Sequence, residues 1–109
     1  MDPLERQRQL AAQYPDNELA RFSLGRALFD RGDVAAAKLE FQAALRRKPD
    51  WMAVQILLGK CDLQLGDPAA ARAAFERARD LAIAQHHEGP LAEMESLLAD
   101  LQDVSSSVG

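Results

Sequence analysis

Three places in the chain carry side chains capable of chemistry. His86, His87 and Glu88 put two imidazoles and a carboxylate in succession, a set that would suggest a divalent metal. Successive residues on a helix diverge by about 100°, so adjacent histidines rarely share one ion, and a solvated helix end is the expected role. Cys61 is the single cysteine. A reactive thiol needs a neighbouring base or cation; Cys61 has no histidine close in sequence and sits in a helix, so it reads as a small buried hydrophobe. The run from Leu45 to Asp50, LRRKPD, concentrates three cations. Cations near a helix C-terminus already suit the macrodipole and need no ligand. No glycine-rich phosphate loop, nucleophile motif or paired-ligand spacing occurs. The chain is therefore expected to have no catalytic residue, no metal ligand and no cofactor, and not to be an enzyme.

The elements that carry these residues are bounded by composition. At 109 residues the chain is one domain with a modest core. A hydrophobic fraction of 48% with 28% charged residues is that of a soluble globular protein. Alanine and leucine dominate and β-branched residues are few, which favours helix nearly throughout. The net charge of −4 argues against nucleic acid, which needs a basic face. A lone cysteine excludes an internal disulfide and fits a reducing compartment. The opening MDPLERQRQ has no apolar signal core and no run approaches a membrane span, so a cytoplasmic location with no membrane partner is expected.

The dominant pattern is a repeat. Residues 24–41, LGRALFDRGDVAAAKLEF, are echoed at 58–75 as LGKCDLQLGDPAAARAAF. A shift of 34 residues superposes Pro15 and Asp16 on Pro49 and Asp50, Leu24 and Gly25 on Leu58 and Gly59, and Gly32 and Asp33 on Gly66 and Asp67. It also superposes Ala35 to Ala37 on Ala69 to Ala71, Phe41 on Phe75 and Ala44 on Ala78. A fixed period of this length marks a helix-turn-helix array.

Each matched position has a mechanical role. Gly32 and Gly66 end a helix where a left-handed residue costs glycine least. Asp33 and Asp67 follow as caps, and Pro68 sits in a first turn, where proline is tolerated. Gly25 and Gly59 lie mid-helix, at a cost of roughly 1 kcal/mol relative to alanine. Close approach of a partner helix compensates, with Ala37 and Ala71 expected to face them and Phe41 and Phe75 filling the remaining space. Pro15 and Pro49 stop the second helix of a unit, and Asp16 and Asp50 are expected to cap the next.

These residues resemble the tetratricopeptide repeat family. Its succession of Leu-Gly, Gly, Ala, Phe, Ala and Pro is met in residues 17–50 and again in 51–84, where Ile83 replaces the closing proline. Arg21 and Gln55 stand where a bulky aromatic is usual, and Leu28 and Asp62 where a tyrosine is usual. The resemblance implies an all-α fold of antiparallel helix pairs stacked in a short right-handed superhelix. It divides into a half repeat (1–16), two repeats (17–50 and 51–86) and a capping helix (91–104), with 105–109 a disordered tail. Helices are predicted at 3–13, 17–31, 34–47, 51–65, 68–86 and 91–104. The last presents Met94, Leu97, Leu98 and Leu101 as an apolar stripe to cover the second repeat.

In such arrays the first helix of each repeat lines a concave groove that holds a peptide or partner helix. Carried over by alignment, the groove positions are Leu19, Phe22, Arg26 and Phe29, then Ala53, Ile56, Lys60 and Leu63. Arg26 and Lys60, one repeat apart, suit a carboxylate flanked by apolar side chains. The family's two-carboxylate clamp is not expected, because Arg26 and Leu57 occupy its sites. Lys38 and Arg72 fall on the opposite face, where charge changes are expected to leave binding intact. The function expected is non-catalytic binding of a protein or peptide partner by a monomer or weak homodimer. The alternative is self-assembly through array ends, where Leu4, Leu10 and Tyr14 offer apolar surface.

Overall fold

The computed structural model describes residues 2–108, with side chains as far as Gln102. The described residues form six α-helices and no strand: α1 (Pro3–Gln13), α2 (Glu18–Asp30), α3 (Val34–Arg47), α4 (Met52–Gln64), α5 (Pro68–Ala84) and α6 (Glu88–Val108). α2 packs on α3 and α4 on α5 as two antiparallel pairs, joined through α3 against α4 and flanked by α1 on α2 and α6 on α5. The product is an elongated helical solenoid of 47 × 30 × 20 Å.

The first five helices end within two residues of the predicted positions. α6 differs: it starts at Glu88, three residues before the expected 91, and runs through Val108 rather than stopping at 104. Residues 105–108, expected as disordered tail, are therefore helical, while Gly109 lies outside the described residues. Pro90 does not delay the start because a first-turn residue has no intrahelical N–H partner to lose.

The turns explain the matched glycines. Gly32 and Gly66 have φ of 84° and 79°. The following amides of Asp33 and Asp67 donate to the carbonyls of Leu28 and Asp62, each at 2.9 Å, which closes a Schellman turn. The end of α5 repeats this geometry with the wrong residue: His86 has φ 58°, and the His87 amide donates to the Ala82 carbonyl at 2.9 Å. The caps depart from expectation. Asp67 does cap α5, accepting from the Ala70 amide at 3.1 Å, but Asp33 makes no such bond. Neither Asp16 nor Asp50 is a cap. Asn17 caps α2, accepting from the Ala20 amide at 3.1 Å, and α4 begins after Trp51 without a side-chain cap. Asp16 instead pairs with Arg47, and the Asp50 carbonyl accepts from Gln85 Nε2 at 3.0 Å.

Burial is concentrated in two layers. Leu24, Leu28, Ala37, Phe41, Ala44, Val54 and Leu57 form the first, closed by Ala11 of α1. Ala71, Phe75 and Ala78 form the second, covered by Met94 and Leu101 with Leu97 and Leu98 alongside. The apolar stripe of α6 thus caps the second repeat. A Cβ added at Gly25 would lie 2.7 Å from Phe41 Cε1, and one at Gly59 would lie 2.6 Å from Phe75 Cδ1. The mid-helix glycines therefore admit a phenyl ring; the expectation that Ala37 and Ala71 face them is corrected.

Two ion pairs replace the family's missing large side chains. Arg21 Nη1 lies 3.1 Å from Glu40 Oε2, and its Nε donates to the Pro15 carbonyl at 3.0 Å. Asp62 retains only 3% exposure, and Lys38 Nζ lies 2.7 Å from its Oδ1. Among the described residues Oδ1 accepts no other hydrogen bond. The aspartate raises the Lys38 pKa above its ordinary 10.5, first through this contact and against some desolvation. Lys38 is therefore not a free convex-face cation. It ties the second helix of one repeat to the first helix of the next.

Three expectations follow for stability. Gly59→Leu should destabilise by at least about 1–3 kcal/mol, because Phe75 is fixed in the core, as read from urea unfolding. His86→Gly should raise stability by up to about 1 kcal/mol by relieving a left-handed β-carbon. Lys38→Ala should cost about 2–3 kcal/mol, at the low end for a buried pair because the lysine keeps 27% side-chain exposure. The double change Lys38→Met/Asp62→Leu should recover most of that loss, since no buried charge is then left unpaired. The pair's contribution should be present at neutral pH and fall as pH rises above 10.5 through the higher folded-state value of Lys38, a loss the double variant should not share in thermal melts.

Candidate binding groove

Four groove positions come from α2 and four from α4, at spacings of three and four residues that align them on one helix stripe. None of the eight is fully buried. Leu19 is 61% exposed and Leu63 37%, Arg26 and Ala53 are also exposed, and Phe22, Phe29, Ile56 and Lys60 are half-buried. Three serve both core and surface. Phe22 meets the Phe41 ring at 6.2 Å and the Trp51 ring at 4.9 Å between centroids, Phe29 leans on the first core layer, and Ile56 on the second. Such a stripe can bury apolar side chains of a partner on a rigid base.

Its two cations have internal partners. Arg26 Nε lies 3.3 Å from Asp30 Oδ1 one turn along α2. Lys60 Nζ lies 3.3 Å from Glu93 Oε1 on α6. The first pairing was open to the i,i+4 rule; the second depends on where α6 docks and carried no sequence signal. Both pairs are about half exposed and worth little, so a competing carboxylate displaces them at small cost. Trp51 was overlooked. Its ring stacks on Phe22, and Lys48 Nζ stands 5.5 Å from its centroid.

The other chemistry-bearing residues lie apart from this stripe. Cys61 is fully buried, and burial above all, with neighbouring Asp62 adding, pushes its thiol up to about 11. It is a neutral core atom at physiological pH, as a small hydrophobe should be. His86, His87 and Glu88 border a shallow pocket with Ala82, Ile83 and Leu91. Among the described residues no three His, Cys, Asp or Glu side chains are grouped to hold a metal ion. No described helix is long and apolar enough to cross a membrane.

The tetratricopeptide repeat family model matches residues 4–50 and 22–86. A TPR repeat-containing protein of Pseudomonas aeruginosa is 38% identical over 87 residues, covering 80% of this chain and 81% of that one. Among solved structures, the Yersinia enterocolitica type III secretion translocator chaperone SycD superposes with a TM-score of 0.89 at 14% identity, over 94% of this chain and 72% of that chain. PcrH of Pseudomonas aeruginosa, solved in complex with the chaperone binding region of PopD, superposes with a TM-score of 0.87 at 22% identity, over 94% and 77%. At these identities the two structures speak for the fold. Family model, relative and fold agree, and the chain belongs to the tetratricopeptide repeat family.

Proposed function

We propose that the chain is a non-catalytic, cytoplasmic protein-interaction module, a single array whose first-helix face binds an extended peptide or partner helix of acidic and apolar character. The observation that carries this reading is the exposure of apolar side chains at repeat-related groove positions. Leu19 and Leu63 remain in water while Leu24, Leu28 and Leu57 on the same two helices are buried. Arg26 and Lys60 flank them and hold carboxylates at 3.3 Å in the free protein, so a partner's acid would take over from Asp30 and Glu93. PcrH, which shares the fold, was solved with a segment of its partner PopD. The groove is short, and modest affinity is expected unless the partner adds contacts.

Self-assembly through the N-terminal end is the second reading. Leu10 and Tyr14 are 39% and 52% exposed, while Leu4 is folded onto the first core layer. Sedimentation equilibrium separates the readings: a monomer with a functional groove supports the first, and a tight dimer broken by Leu10→Glu supports the second.

Peptides selected from a phage-displayed dodecapeptide library provide the groove test. Arg26→Glu/Lys60→Glu should weaken the selected peptides roughly tenfold at low salt, with a smaller effect at high salt. Arg46→Glu/Arg77→Glu, exposed cations of α3 and α5, should leave affinity within about twofold because they lie on the second helices. Loss of binding in the second variant with retention in the first would overturn the groove assignment.

A further inference from the structure

We propose that a cleft at the mouth of the groove, walled by Trp51 and governed by Lys48, is the subsite that reads the partner's sequence, taking an aromatic or aliphatic side chain next to an acidic one. This rests on the groove reading and assigns it a chemical preference. Lys48, Asp50, Trp51, Met52, Ala53 and Gln85 bound the cleft, an open depression of roughly 440 Å³. It is continuous with the groove at two places, since Ala53 is itself a groove position and Trp51 stacks on the groove residue Phe22 at 4.9 Å.

The charge distribution selects this cleft over the two groove cations. Arg26 and Lys60 already hold carboxylates. Lys48 is exposed, and among the described residues its ammonium has only the Trp51 ring, at 5.5 Å. An incoming carboxylate therefore meets a cation that it need not first free from another acid. Asp50 also lines the cleft and repels an acid set near it, which confines the partner's carboxylate to the Lys48 side. The apolar wall of Trp51, Met52 and Ala53 receives the neighbouring side chain.

The cleft is braced and is peculiar to the junction between the two repeats. Gln85 at the end of α5 donates to the Asp50 carbonyl at 3.0 Å, and Phe22 backs the indole, so little ordering is left for binding to accomplish. One period earlier, Lys48, Trp51 and Met52 correspond to Tyr14, Asn17 and Glu18. Cation, indole and thioether are all lost there, so the junction before the first repeat cannot offer an equivalent site.

The test uses the full chain, uniformly labelled with nitrogen-15, and three blocked dipeptides. Acetyl-glutamyl-phenylalaninamide should bind with millimolar affinity, shift the indole resonance of Trp51 and the amide of Ala53, and change the fluorescence of the single tryptophan. The glutaminyl and the alaninamide analogues should each bind about fivefold more weakly, one lacking the charge and the other the ring. Lys48→Gln should abolish the preference for glutamyl over glutaminyl while keeping the preference for the aromatic ring. Equal binding of the glutamyl and glutaminyl peptides, shifts confined to the surroundings of Arg26 and Lys60, or no shift at Trp51 would overturn the proposal. The groove reading stands or falls separately on the response of library peptides to Arg26→Glu/Lys60→Glu.

Discussion

The array depends on two places where a β-carbon is missing. Gly25 lets the Phe41 ring lie on the backbone of α2, and Gly59 does the same for Phe75 on α4. An alanine at either position would force the ring away, and with it the second helix of that pair. The weak helix propensity of glycine is offset by full burial of an aromatic ring. Around each ring the small residues Ala37, Ala44, Ala71 and Ala78 complete a dry contact. The spacing between helices, and hence the layout of everything on the first-helix face, follows from that contact.

Where the family usually places large side chains, this chain uses charge. Arg21 reaches Glu40 on α3 and the carbonyl of Pro15, so it braces both the helix pair and the turn before it. Asp62 is buried between repeats and is tolerable only because Lys38 neutralises it. A buried ion pair is a weak source of net stability but a strong source of selectivity, since a slipped register would leave a charge unpaired. In the first repeat the equivalent of Asp62 is Leu28, fully buried among apolar neighbours. One position is thus filled by two chemistries, each matched to what lies across from it.

The same internal pairing shapes the first-helix face. A stripe of apolar residues and cations on α2 and α4 would attract acids broadly, but Asp30 and Glu93 already occupy its cations. Under the proposed groove reading, a partner would exchange one carboxylate for another there, and discrimination would fall to contacts that the free protein leaves unmade. α6 contributes on both counts, sealing the second core layer with Met94 and Leu101 and setting Glu93 against Lys60. Glu93 of the capping helix is also part of the electrostatics of the first-helix face.

The repeat itself was legible because its causes are local. A left-handed turn asks for Gly32 and Gly66, a ring against a backbone asks for Gly25 and Gly59, and the 34-residue register of both is written in the sequence. The eight proposed groove positions came from the family resemblance, and helix periodicity puts them on one stripe of each helix. Residues lacking a regular counterpart could not be placed. His86 adopts the glycine geometry without being glycine, so no residue type announced the end of α5 or the early start of α6. Asp62 stands where the family usually has a tyrosine, and its partner Lys38, distant in sequence, comes to 2.7 Å from it only in the fold. The partners of Lys60 and Trp51 likewise belong to other helices or turns. Sequence alone determined the helices, their order and their buried faces, because turn geometry and periodicity act over a few residues. Only the tertiary structure decided which charges are paired and which remain open, because that depends on the docking of whole helices.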